Sequence, residues 1–399
     1  MKRLRKIIFW FHLPIGVVGG LVILTMSVTG LLLTYERKII AWADSHSYII
    51  QPPPPGAARL PLETLLTRVN EAQGDSIAST VTLRPDPASP AMIGYEGARV
   101  VFVDPYTGEV LSEGSRGARD FFRVITDWHR WLGARGENRA VARAITGACN
   151  LGFLFLVVSG FYMWWPRTRS QVRNVIWFKR GLGGRARDFN WHNVIGFWSV
   201  APLFIITLSA LVISYPWASN LVYRLVGETP PAQRASSGQP AGSAERMPVA
   251  GPLLDGLDKL RVRAEQQVSG WQIISMRLPI SADAPVTFTI DRGDGGQPHL
   301  RAQLALDRKS GEVVRWEPFS SYTTGRKLRS FLRFAHTGEA AGIIGQTVAG
   351  LASAGGAVLV WTGLALALRR WRAWRARRRY GESVRAASRS VERSEQQIT

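Results

Sequence analysis

Phe9-Trp-Phe-His-Leu-Pro-Ile-Gly-Val-Val-Gly-Gly20 and Phe189-Asn-Trp-His-Asn-Val-Ile-Gly-Phe-Trp-Ser-Val200 are two openings of one kind. Each begins a long apolar run. Each carries a histidine, His12 or His192, followed one helical turn later by a glycine, Gly16 or Gly196. Two more histidines stand just ahead of the remaining apolar runs, His129 in TDWHRWLG and His336 in RFAHTGEAAG. The chain has only 6 histidines, so four of them at the ends of four apolar runs organise the reading.

The runs are Ile7–Tyr35, Ala144–Pro166, Phe189–Tyr223 and Ala340–Leu368, all free of Lys, Arg, Asp and Glu. Each exceeds the roughly 20 residues that cross a bilayer core. Lipid offers no partner for backbone polar groups, so long non-alternating runs of this kind predict helices. The net charge of +21 then has a place. Lys2, Arg3, Arg5 and Lys6 precede the first run. Arg167, Arg169, Arg173, Lys179, Arg180, Arg185 and Arg187 lie between the second and third, and Arg369 to Arg379 follow the fourth. Alternating crossings put all three groups on one side, which the positive-inside rule makes the cytoplasm, with both termini inside. This juxtamembrane placement accounts for the charge without nucleic acid. Ala41-Trp42-Ala43 resembles a cleavage site, but the run before it is too long for a signal peptide and is read as an anchor. The single cysteine, Cys149, rules out disulfides and CxxC chemistry, so any redox role falls to a cofactor.

The segments between runs repeat. LPLETLLTRVNEAQG has helical spacing and leads into strand-like SIASTVTLRP and AMIGYEGARVVFVDP. PLLDGLDKLRVRAEQQVSG likewise leads into WQIISMRLP, APVTFTIDRG and HLRAQLALDR, and the endings VDPYTGEVL and LDRKSGEVV align. RVITDWHRWLG matches SFLRFAHTGEA, and VSGFYMWW matches WTGLALAL. The expected plan is therefore a four-helix membrane bundle of two parallel repeats with two small extracytoplasmic α+β modules. The segments are 1–38, a basic N-terminus and first helix; 39–118, the first module; 119–166, an interfacial helix and second helix; and 167–188, a basic loop. Then come 189–224, the third helix; 225–252, a low-complexity linker; 253–320, the second module; 321–370, an interfacial helix and fourth helix; and 371–399, a basic, partly disordered tail. Gln51–Gly56 is a stiff proline linker.

A twofold axis along the membrane normal preserves depth. It sets His12 opposite His192 near the cytoplasmic face and His129 opposite His336 near the outer face. Facing imidazoles suit one metal-centred cofactor per level. A bare zinc site wants three or four protein ligands, which neither level offers. Haem iron needs only two axial ligands and an apolar slot. Gly16 and Gly196 would leave room for the ring on the histidine's helix face. Arg130, Arg329, Arg123 and Arg333 could hold propionates at the outer level, and Lys6 and Arg187 at the inner one. Against this stand plainer roles: tryptophans as belt anchors, arginines as positive flanks, glycines as helix-packing positions. His46 and His299 have no matching partners and read as solvated surface.

The combination DWHRWLG, SGFYMWWPR, WHNVIG and FAHTGEAAGIIGQ resembles the PepSY-associated transmembrane family, also called iron-regulated or iron-uptake membrane proteins. The resemblance covers Arg5 to about Trp371, both modules resembling PepSY domains. Members of that family include inner-membrane ferric-siderophore reductases with two haems on histidine axial ligands. The resemblance implies two b-type haems here, on His12, His192, His129 and His336. It also implies an inner-membrane oxidoreductase that takes Fe(III) in a siderophore to Fe(II) outside the cytoplasm. No GxGxxG fingerprint is present, so the electron donor would be a quinone or an external reductase. Two other readings are a PepSY sensor scaffold without redox activity and a siderophore permease component. The runs lack the midplane charge that a permease favours.

Overall fold

The computed structural model describes residues 2–50, 56–74, 78–96, 99–165, 172, 175–231, 253–279, 281 and 283–396. The proline linker before Gly56, most of the low-complexity linker, and Arg167, Arg169 and Arg173 lie outside these residues. The chain divides into two compact units, Met1–Leu31 with Asp127–Leu211 and Val348–Thr399, and Leu32–Thr126 with Val212–Thr347.

The first unit is helical. It contains most of α1 (Lys2–Leu33), α5 (Asn138–Trp164), most of α6 (Gly184–Ser214) and all but the start of α10 (Gly342–Gln396), together with the end of α4 (Arg116–Trp131). Four helices are long and apolar enough to cross a membrane. Their outward faces are apolar, with Val18, Leu21, Leu351 and Trp361 exposed, as lipid-facing surfaces are. The interior holds Val157, Leu203 and Ala352. It also holds buried polar groups paired within the bundle, such as Asn150 Nδ2 donating to the Thr207 carbonyl at 3.0 Å. The third apolar run is not one helix as expected. It stops at Ser214, because Pro216 offers no N–H to continue the ladder, and α7 (Pro216–Leu225) starts at that proline. The tail also differs from expectation: α10 continues as helix to Gln396 instead of fraying after residue 370. Residues 371–396 contain no proline and are rich in Arg, Ala and Glu, all good helix formers.

The second unit is mixed. α2 (Glu36–Ser45) and α3 (Leu62–Gln73) precede β1 (Ala78–Leu83), β2 (Ala91–Tyr95), β3 (Val100–Val103) and β4 (Val110–Ser112). After α7 the same order returns: α8 (Leu257–Gln267), then β5 (Ile273–Arg277), β6 (Val286–Asp291), β7 (Arg301–Leu306) and β8 (Val313–Pro318), then α9 (Thr324–His336). The two sets of strands form one 8-stranded antiparallel sheet in the order β4-β3-β2-β1-β5-β6-β7-β8. The seam is β1 on β5, with Val81 opposite Met276. Alternate strand residues, among them Val81, Ile93, Ile274, Phe288 and Leu304, bury one face against Leu65, Leu66, Val69, Leu257 and Leu260 of α3 and α8. The N-termini of those helices cap each other: Leu62 N–H donates to Asp258 Oδ1 at 3.2 Å, and Asp258 N–H to Glu63 Oε1 at 3.0 Å.

The matched turns share their backbone hydrogen bonds. Asp104 Oδ1 accepts from the N–H groups of Tyr106 and Thr107, and Asp307 Oδ1 from those of Lys309 and Ser310. Gly108 and Gly311 close them at φ 77° and 72°, where a side chain would be strained. His46 lies against Trp42 at the end of α2, and His299 in a short 3₁₀ turn, Pro298–Leu300.

Candidate functional site

His12 lies in the N-terminal part of α1, and its Nδ1 is 2.8 Å from Ser159 Oγ on α5. His192 on α6 has the same arrangement, with Nδ1 2.9 Å from Thr362 Oγ1 on α10. Both histidines of this expected pair therefore lie in the helical unit, each held at Nδ1 by a hydroxyl of another helix. Next to each hydroxyl in sequence is a glycine that faces the same ring. A Cβ on Gly160 would sit 3.6 Å from His12 Cε1, and one on Gly363 would sit 3.4 Å from His192 Cε1.

His129, in the last turn of α4, repeats the motif near the other end of α1. Its Nδ1 is 2.9 Å from Thr29 Oγ1, and a Cβ on Gly30 would meet its Cε1 at 3.3 Å. α4 ends just beyond, at Leu132 and Gly133 with φ 52° and 76°, where the N–H groups turn back to Trp128 and Asp127 carbonyls. At 1.5 Å per residue, the stretch of α1 from His12 to Thr29 spans about 26 Å, close to a hydrocarbon core of about 30 Å. One helix thus touches two histidine stations near opposite membrane boundaries. His336 closes α9 in the mixed unit, partly buried.

Ser159, Thr362, Thr29 and their glycines are the residues sequence reasoning left without a role. Their signal was present: Ser159-Gly160 and Thr362-Gly363 fall at the same place in the matched segments VSGFYMWW and WTGLALAL, and Thr29-Gly30 closes SVTG. Gly16 and Gly196 were instead expected to open the slot. They face Leu156 and Leu359 of neighbouring helices at ordinary contact distance, 3.8 and 3.6 Å from a built Cβ. The glycine whose Cβ position faces each ring comes instead from the helix across from it.

The expected anion-binding arginines are engaged near where they stand. Arg130 lies over the Trp131 ring at 4.7 Å. Arg329 Nε donates to Ser219 Oγ at 2.9 Å. Arg123 pairs with Asp120 at 2.8 Å, and Arg333 lies over Phe334. Arg187 and Arg369 flank Asp188, at 3.0 and 3.1 Å, one turn before His192. Asp188 is 5% exposed; this buried carboxylate ties α6 to α10 and would be costly to leave unpaired.

The residues here suit a planar iron macrocycle better than a bare metal ion. Among the described residues, no group of three or more His, Cys, Asp or Glu side chains could hold a bare metal ion, whereas a haem asks for two histidines. Holding Nδ1 leaves Nε2 as the nitrogen turned away from the hydroxyl, the usual outer-shell arrangement of a metal-ligating imidazole. Among the described residues, the buried indole N–H of Trp164, one turn beyond Gly160 on α5, has no hydrogen-bond partner. Packed against Phe197 at 4.6 Å, it could donate to an acidic group of a ligand bound there. The residues fit.

A bundle of four apolar helices joined in one chain to a β-sheet domain defines a polytopic membrane protein. The chain belongs to the PepSY-associated TM region family, whose model matches residues 9–370. No curated protein matches it.

Proposed function

We propose that the protein is a di-haem oxidoreductase of the bacterial inner membrane that reduces a ferric siderophore on the periplasmic side. His12 and His192 would be the axial ligands of one b-type haem near the cytoplasmic face. His129 and His336 would hold a second near the outer face, a pairing that rests on the duplication of the sequence. The repeated helix-and-strand order and the matching Asp104 and Asp307 turns support that duplication and two PepSY-like modules sharing one sheet. The observation that carries the reading is the matched setting of His12 and His192 in the helical unit, each imidazole tied at Nδ1 by a hydroxyl of another helix.

A haem bound on such a pair supplies a one-electron iron couple with no open coordination position, suited to electron transfer. The chain's own contribution is to hold the imidazoles, exclude water with the Phe161, Trp164 and Phe197 stack, and pin α6 to α10 through Asp188. With electrons from a quinone or a cytoplasmic reductase, each electron reduces one siderophore-bound Fe(III) to Fe(II). Fe(II) binds hard oxygen ligands less tightly and is released. Purified protein is expected to show low-spin Soret and α-band absorption at two haems per chain, lost by one in His12→Ala and in His192→Ala. Dithionite-reduced protein should reoxidise on adding a ferric siderophore. A protein without haem absorption would sink the proposal.

A further inference from the structure

The hydroxyl groups that hold the histidines have their own protons committed elsewhere. Thr362 Oγ1 donates to the Val358 carbonyl at 2.8 Å, with the Leu359 carbonyl at 3.2 Å. Thr29 Oγ1 donates to the Thr25 carbonyl at 2.6 Å, and Ser159 Oγ to the Leu156 carbonyl at 3.3 Å. A carbonyl can only accept, and a hydroxyl has one proton to give. With that proton given to the helix carbonyl, each hydroxyl meets its histidine with a lone pair, and the facing ring nitrogen carries the N–H.

We infer that Ser159, Thr362 and Thr29 are positioning residues that lock His12, His192 and His129 in the Nδ1–H tautomer, each with an unprotonated Nε2 ready to ligate. The wiring runs from helix carbonyl to hydroxyl to imidazole, and the following glycine removes the Cβ that would otherwise crowd Cε1. Such back-bonded hydroxyls cost a membrane helix little, because the carbonyl is already at hand. The device is not a feature of one helix, since it is supplied by α5, α10 and α1 in turn. Ser209, as far after His192 as Thr29 is after His12, has the same back-bond, to the Ile205 carbonyl at 2.6 Å. An acceptor on Nδ1–H also raises the electron-donating power of Nε2 and favours the ferric state of a ligated iron. That last step rests on the haem reading; the tautomer does not.

The test has two arms. Full-length protein made without haem and labelled with ¹⁵N-histidine is examined by solid-state NMR in lipid bilayers, with His12→Gln and His192→Gln to assign signals. Nδ1–H tautomers are expected in wild type, a mixed population in Ser159→Ala and Thr362→Ala, and the wild-type pattern in Ser159→Thr and Thr362→Ser. Nε2–H signals for His12 and His192 in wild type would overturn the inference. In the haem-loaded protein, the alanine variants should raise one midpoint potential and weaken haem retention by roughly 10- to 100-fold, with rescue by the hydroxyl-bearing variants. Unchanged potentials and retention would overturn the positioning role. A wild type that takes up no haem would remove the proposed function while the NMR arm still decides the tautomer.

Discussion

At the scale of single residues, hydroxyl and glycine act together, and size at the glycine is the sensitive variable. A leucine at position 363 would push into His192, whose Cε1 is 3.4 Å from the first added carbon. Gly363→Leu is therefore expected to lose one haem's Soret absorption, whereas Gly196→Ala, with only Leu359 at 3.6 Å, should keep both. Gly338, two residues past His336, is a different case. Its φ is 76°, and a Cβ there would collide with the Gly345 backbone. Gly338→Ala should destabilise by about 1–3 kcal/mol, read as a lower thermal midpoint in detergent. The histidines were legible from their scarcity and their place before apolar runs. Their hydroxyl partners were not, because a serine or threonine in a membrane helix most often bonds only its own backbone. The second bond, to a ring on another helix, appears only once the helices are packed.

At the scale of elements, the periodicities were sound and the ends were not. α3 and α8 showed their apolar spacing, and the strands their alternation. The pairing of β1 with β5 joins residues almost two hundred positions apart, which no local pattern encodes. The buried face it creates should behave as one core: Phe288→Ala, at a side chain 1% exposed, is expected to cost about 3–5 kcal/mol. The break at Ser214 was written in Pro216, yet the apolar run continued past it and hid the stop. Glu228 joins the two elements that follow, receiving the Gly325 N–H at the start of α9 at 3.1 Å. Its carboxyl is held below its ordinary value of 4.5, first by the Thr323 hydroxyl and then by the Gly325 and Thr324 N–H groups. A depressed folded value means the charged form is the stabilising one. That contribution is complete above 4.5 and fades as pH falls through the folded value. Acid unfolding of Glu228→Gln, followed by near-UV circular dichroism, should show a shallower pH dependence below 4.5 than wild type.

At the scale of the whole molecule, the arginine clusters beside the apolar runs predict which ends face inward. In a Cys149→Ser background, cysteines placed at Arg3 and Arg372 should resist a membrane-impermeant thiol reagent in intact cells, and one placed at Asp283 should react. Labelling at Arg372 from outside would reverse the orientation. The seam between β1 and β5 has a further consequence, for biogenesis. The half of the sheet made first ends in an open edge at β1, and its partner strand β5 is translated only after two more long apolar helices, α5 and α6. At about 5–20 residues per second that wait is about 10–40 s. Through that interval the nascent chain presents an unpaired strand, the kind of edge that recruits wrong partners. The sheet can close only after β5 is made, behind the third long apolar helix, so a chain stalled there would carry a half-sheet with an open, aggregation-prone edge.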